Sequence, residues 1–120
     1  LVKNDHELYN ILMNFNKKIP VFRDLSENNT PAPYIVYRSV NCKRIYGSGQ
    51  IIGSFKEFEI VLIQKEKNDI KLKEKFNKYL DENQIIINNN METATNEEGE
   101  RYFFLTVFTN ILEKDVLGVN

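Results

Sequence analysis

The chain has 120 residues, 42% of them hydrophobic and 28% charged, with sixteen basic residues set against seventeen acidic ones. That length suits one domain built round one core, and the composition argues against wholesale disorder. A formal charge of -1 argues against a dedicated nucleic-acid binder, which carries a clustered basic excess, and a single cysteine, Cys42, excludes an intramolecular disulfide.

With only His6 as a second soft ligand, no zinc spacing exists, and neither a metal nor an organic cofactor is expected. Cysteine usage sets a reducing compartment as the default. No apolar run approaches the roughly 20 residues that span a bilayer, and the N-terminus, which opens on Leu1, lacks the pattern of a secretory signal. A soluble, unexported chain with no membrane partner is the expectation.

In chain order, Asn4 or Asp5 caps a first helix, with Glu7 three residues after Asn4 as in a capping box. Leu8, Ile11, Leu12 and Phe15 recur at helical spacing as one apolar stripe. The helix must stop by Ile19, because Pro20 disfavours helical geometry in the residue before it. A short extended piece, Val21 to Leu25, follows, then a polar, proline-rich loop from Ser26 to Pro33. Tyr34 to Val40 is β-branched and aromatic enough to be a strand. The segment 41–53 holds Gly47, Gly49 and Gly53 and is too long for a two-residue turn, so it reads as a mobile hairpin arm.

Residues 54–64 place Phe58, Ile60 and Leu62 on one face, taken as the inward one, and Phe55, Glu57, Glu59, Val61 and Ile63 on the other. Asn68 or Asp69 caps a second helix whose stripe is Leu72, Phe76, Tyr79 and Leu80, with Lys71, Lys73, Glu74, Lys75 and Lys78 largely on its outer face. This helix ends near Asn83. Ile85 to Ile87 reads as a short buried strand, Asn88-Asn89-Asn90 as a turn, and Met91 to Thr95 as another strand. A turn at Asn96-Glu97-Glu98-Gly99 leads to the strongest strand signal, Arg101 to Ile111, apolar on both faces and therefore central or covered twice. Leu112 to Asn120 reads as a tail.

The sum is a single α+β domain over 1–120: one mixed or antiparallel sheet of four to five strands, two helices on one face, and a long hairpin arm.

No constellation carries obvious chemistry. His6 reads as an exposed polar residue, since local spacing sets no acid or nucleophile beside it. Lys43 and Arg44 follow Cys42 directly and make it a candidate nucleophile, but a thiol catalyst needs a histidine partner and His6 is remote in sequence. Glu57 and Glu59 lie about 7 Å apart on one strand face and read as a solvated or interface-facing row. Gly47-Ser48-Gly49 lacks the Gly-Lys-Ser/Thr ending and the following helix of a phosphate loop. Lys43, Arg44 and Tyr46 have the chemistry of a small nucleic-acid contact. Ile45, Tyr46, Ile51 and Ile52 on an arm are better explained by contact with protein, because exposed apolar side chains gain from burial against a partner.

The order of elements carries a resemblance. A first helix is followed by Pro33-Tyr34-Ile35-Val36-Tyr37, a loop with Tyr46-Gly47, the strand Phe58-Glu59-Ile60-Val61-Leu62, a charged helix, and an aromatic strand from Tyr102 to Phe108. In this order the chain resembles, over nearly its whole length, the small tail-terminator and tail-completion proteins of tailed bacteriophages, prophages and phage-tail-like bacteriocins. It departs from them where Gly47-Ser48 follows Tyr46, since that loop often has an acid or asparagine after the tyrosine.

The resemblance implies a non-enzymatic assembly protein, a homo-oligomeric ring, usually a hexamer. Such a ring sits on the head-proximal end of the tail tube, ends tube growth and offers a surface to the neck or head. The implied partners are the tube protein and, beyond it, sheath and neck or head-completion proteins, with DNA involved only by passage through the lumen. The implied place is the virion tail or a tail-like particle, after the host cytoplasm. The residues implied at subunit contacts are Lys43, Arg44, Ile45, Tyr46, Gly47, Gly49, Ile51 and Ile52 on the arm and Leu112, Val116 and Leu117 on the tail. The rival reading is another neck or head-tail joining protein, or a nucleic-acid-binding regulatory module of a mobile element with Lys43 and Arg44 on phosphates.

Overall fold

A computed structural model describes residues 2, 4–26 and 30–113. In chain order the elements are α1 (Asp5–Met13), β1 (Val21–Arg23), β2 (Tyr34–Gly47), β3 (Gln50–Lys65), α2 (Ile70–Glu82), β4 (Ile87–Glu97) and β5 (Glu100–Glu113). The strands form one sheet in the order β1-β2-β3-β5-β4. It is mixed, because β1 runs parallel to β2 and every other pair is antiparallel. With 21% helix, 53% strand and two helices, the fold is α+β.

Alternation along the strands decides which sheet face the helices cover. Ile35 and Tyr37 of β2, Phe58, Ile60 and Leu62 of β3, and Leu105, Val107 and Ile111 of β5 all point to one face and are buried there. Leu8 and Leu12 of α1 and Phe76 and Leu80 of α2 close over them in the same cluster. The inward face expected for Phe58 is the buried one, and both predicted helical stripes supply the helix side of the core.

Polar groups fix the helices in place. The Asn4 side chain accepts from the Glu7 amide at 2.9 Å, and the Asp69 side chain accepts from the Leu72 amide at 3.2 Å, each satisfying one of the orphan donors of a first turn. Buried Gln64, at the end of β3, accepts from the Asp69 amide at 3.0 Å, so the start of α2 is bonded to the strand that precedes it. The Tyr79 hydroxyl donates to the Ile11 carbonyl at 2.6 Å and joins the two helices. Lys73 is not on the outer face as its position in the helix suggested, but reaches across to Glu92 of β4.

Two segments differ from the sequence expectation. Residues 41–53 form the expected hairpin arm, but as regular paired strand almost to the tip and not as a segment too long for a two-residue turn. They are the outer limbs of β2 and β3, paired in register from Asn41↔Glu57 to Gly47↔Gln50. The turn is only Ser48-Gly49, with φ of 53° and 76°. Two consecutive left-handed residues make the two-residue hairpin turn whose twist matches that of its strands, and glycine supplies the second at no steric cost. The same device closes β4 on β5 at Glu98 (φ 52°) and Gly99 (φ 79°), a shorter turn than the four residues predicted.

The second difference is at β4. Ile85 is buried but lies outside any strand, and Ile86 is 62% exposed. Asn88, Asn89 and Asn90 are not a turn. They lie within β4, with the extra residue of a bulge between Ile87 and Asn89. The pairing partner explains this: β5 is paired to β3 on one side, and its other row of backbone groups is satisfied by β4 all the way from Glu97 back to Ile87.

Candidate functional site

The β2–β3 hairpin runs past the core. None of the core residues lies between Arg38 and Glu57, and the run Val40–Arg44 is exposed at every position. Eight residues from Val40 to Gly47 correspond to about 26 Å of strand. The molecule measures 56 × 28 × 23 Å, with a radius of gyration of 16.1 Å against about 14 Å for a round domain of its length. The excess is this projection.

The arm residues expected at contacts are brought together by the ladder. Lys43 lies opposite Phe55, Arg44 opposite Ser54, Ile45 opposite Gly53, and Tyr46 opposite Ile51. A β-bulge separates Ile45 from Tyr46 and brings the Ile52 side chain against Gly47. Tyr46 is 64% exposed and Ile52 42% exposed, far more than side chains of their size keep in a core. No ion pair described involves Lys43 or Arg44, and as neighbours on a strand they point to opposite faces. They do not form one basic patch, which weighs against the phosphate-binding reading.

Leu112 belongs to the same neighbourhood. It is part of β5 rather than the beginning of a tail, and it lies opposite Phe55, which in turn lies opposite Lys43. Phe55 and Leu112 are each 41% exposed. Phe55 was not singled out from the sequence, although its place on the face opposite Phe58 was the signal that would have found it. Val116 and Leu117 lie outside the described residues.

Farther along this helix-free face, Tyr34, Val36, Val61, Ile63, Phe104 and Thr106 floor an open concavity of about 380 Å³, walled by Asp24, Leu25 and Ser26. Glu59, one of the two carboxylates of the predicted row, is paired here with Arg38 at 3.5 Å. It serves as an ion-pair partner and not as half of a carboxylate couple. His6 and Cys42 are both exposed and stand on different elements, one on α1 and the other on the arm. Among the described residues no group of His, Cys, Asp and Glu is placed to hold a metal ion, and no helix is long and apolar enough to cross a membrane.

Among the described residues the arrangement keeps His6 and Cys42 apart and holds Glu59 in an ion pair. What it offers is a contact surface: an arm with apolar tips and with Lys43 and Arg44 outside the described ion pairs, continuous with a sheet face that neither described helix covers. No protein-family model matches the chain, and no curated protein matches it in sequence.

Proposed function

We propose that the protein is a structural assembly subunit, which forms a ring on the head-proximal end of a phage tail or phage-tail-like tube, ends polymerisation of the tube, and presents the surface to which the neck or head is joined. One observation carries the contact reading: a hairpin extends beyond the core with Tyr46 and Ile52 exposed at its tip and no covering element among the described residues. Exposed apolar side chains on a projection gain free energy only by burial against something else. A head-to-tail contact that uses the arm of one copy and the body of the next closes a ring when its rotation divides the circle. The order of elements that resembles the tail-terminator and tail-completion proteins supplies the biological setting.

The test is to assemble particles with and without this protein and image them by negative-stain electron microscopy. Tubes of uncontrolled length, or with unsealed head-proximal ends, are expected in its absence. Tails of normal, uniform length would remove the proposal. Light scattering on the purified chain gives a separate reading, since a ring has a mass several times 14.1 kDa.

A further inference from the structure

The sheet has two backbone edges that the described residues leave open, and their polarity, length and charge are complementary. The ladder fixes which residues point outward. The Glu66 amide donates to the Arg101 carbonyl at 2.6 Å, one step past the Lys65↔Tyr102 pair. In an antiparallel sheet, residues bonded to one neighbour alternate with those turned to the other side. Arg101, Phe103 and Leu105 therefore bond to β3, while Tyr102, Phe104 and Thr106 bond to their β4 partners Thr95, Thr93 and Met91. The remaining residues of β4, among them Asn90, Glu92, Ala94 and Asn96, turn their backbone groups away from the sheet.

The same count along β2 sends Ile35 and Tyr37 toward β1, as the bonds from the Ile35 amide to Pro20 and from the Asp24 amide to Tyr37 confirm. At Asp24 the backbone turns left-handed (φ 69°) and β1 leaves the sheet. Beyond the bulge at Val40, Asn41, Lys43 and Ile45 bond to β3, and Cys42, Arg44 and Tyr46 point to the open side.

We propose that β4 of one copy receives the free outer half of β2 from a second copy, antiparallel, with Arg44 opposite Glu92 and Cys42 opposite Ala94. This rests on the ring reading above and names the surfaces that close the ring. Three observations choose this occupant over others. The free run Ser39–Gly47 is close in length to β4, which has 11 residues. The free run holds Lys43 and Arg44 and no acid, while β4 holds Glu97 and Glu92, the latter also met by Lys73 of α2, and no cation. Pairing β4 with another β4 brings like charges together, and pairing it with β2 brings opposite ones together.

The third observation is one of direction. β2 and β4 run opposite ways in the sheet, so a rotation about an axis along the strands sets β4 antiparallel to the next copy's β2. Arg44 and Cys42 share a sheet face with Lys56 and Ser54, and Glu92 and Ala94 share one with Leu105 and Phe103; both are the helix-covered face. The joined sheet thus keeps its helices on one side. β4 also has neither the proline nor the lysine that commonly blunts an open edge.

The experiment uses the chain's single cysteine. Ala94→Cys, oxidised with diamide and run on a non-reducing gel, is expected to give a ladder of covalent oligomers above the dimer, because each copy then carries one thiol on each edge. Wild type, and Asn10→Cys on the exposed side of α1, set the background. A ladder no taller than that of Asn10→Cys overturns the proposal. Ala94→Pro removes an outward amide that β5 does not use, and it is expected to leave a folded monomer by circular dichroism and light scattering. Retention of the wild-type oligomer mass by this variant also overturns the proposal. A ladder together with normal tails in particles lacking the protein would reject the tail role alone, and defective tails without a ladder would reject the edge pairing alone.

Discussion

Replacing both apolar tips of the arm, Tyr46→Ser with Ile52→Ser, separates assembly from folding. Tyr46 retains 64% of its exposure. A tyrosine presents about 150–250 Å² in all, so about 100–160 Å² remain to be covered by a partner. At about 25 cal/mol per Å² this contributes about 2.5–4 kcal/mol to association, and the exposed part of Ile52 adds about 1 kcal/mol. Only part of such burial appears as affinity. Even about 3 kcal/mol raises the dissociation constant about a hundredfold. The core contains no residue of the arm, so the same double variant is expected to unfold within about 0.5 kcal/mol of wild type per substitution. Sedimentation velocity across a dilution series reads the association, and urea unfolding monitored by circular dichroism reads the fold. Unchanged association would show that the arm is not the contact. A loss of several kcal/mol in folding stability would show that its side chains are part of the core.

Other consequences concern the body. Phe58→Ala empties a site with 0% exposure beside the Tyr37 ring, at 6.4 Å between centroids, and should cost about 3–5 kcal/mol in urea unfolding. Asp69→Ala removes the cap that accepts from the Leu72 amide and should cost about 1 kcal/mol by the same measurement. Burial, with the Asp5 carboxylate beside it, pushes the Tyr37 phenol up from its ordinary 10.0 to about 12. Because the folded value is the higher one, its contribution is complete below pH 10 and is lost as pH rises toward 12. The loss reaches about 2–3 kcal/mol, since above pH 10 the unfolded chain ionises first. Tyr37→Phe should flatten that part of a plot of stability against pH. A wild-type curve with no fall between pH 10 and 12 would refute the assignment.

What the sequence disclosed, and what it concealed, follows from where each segment meets the core. Phe58, Ile60 and Leu62 were legible because one face of their strand is buried, and burial imposes a period of two on residue type. Leu8 with Leu12, and Phe76 with Leu80, were legible for the same reason at helical spacing. The arm obeys no such rule. Both of its faces meet solvent, so nothing selects alternation, and Gly47, Gly49 and Gly53 suggested an arm with a longer connection than a two-residue turn, where two of them serve particular local geometries. Gly49 takes the left-handed turn position, and Gly47 leaves room for Ile52. The run Asn88-Asn89-Asn90 was misread because its side chains favour turns, whereas its strand conformation is set by the unpaired row of β5 beside it. That cause was already present in the sequence at one remove. Tyr102 to Ile111 is apolar on both faces, and such a strand needs a neighbour on each edge, so the residues just before it had to supply one. The strand recruited that way satisfies β5 and in doing so becomes the new edge, with its own outward amides at Glu92 and Ala94 left for another chain.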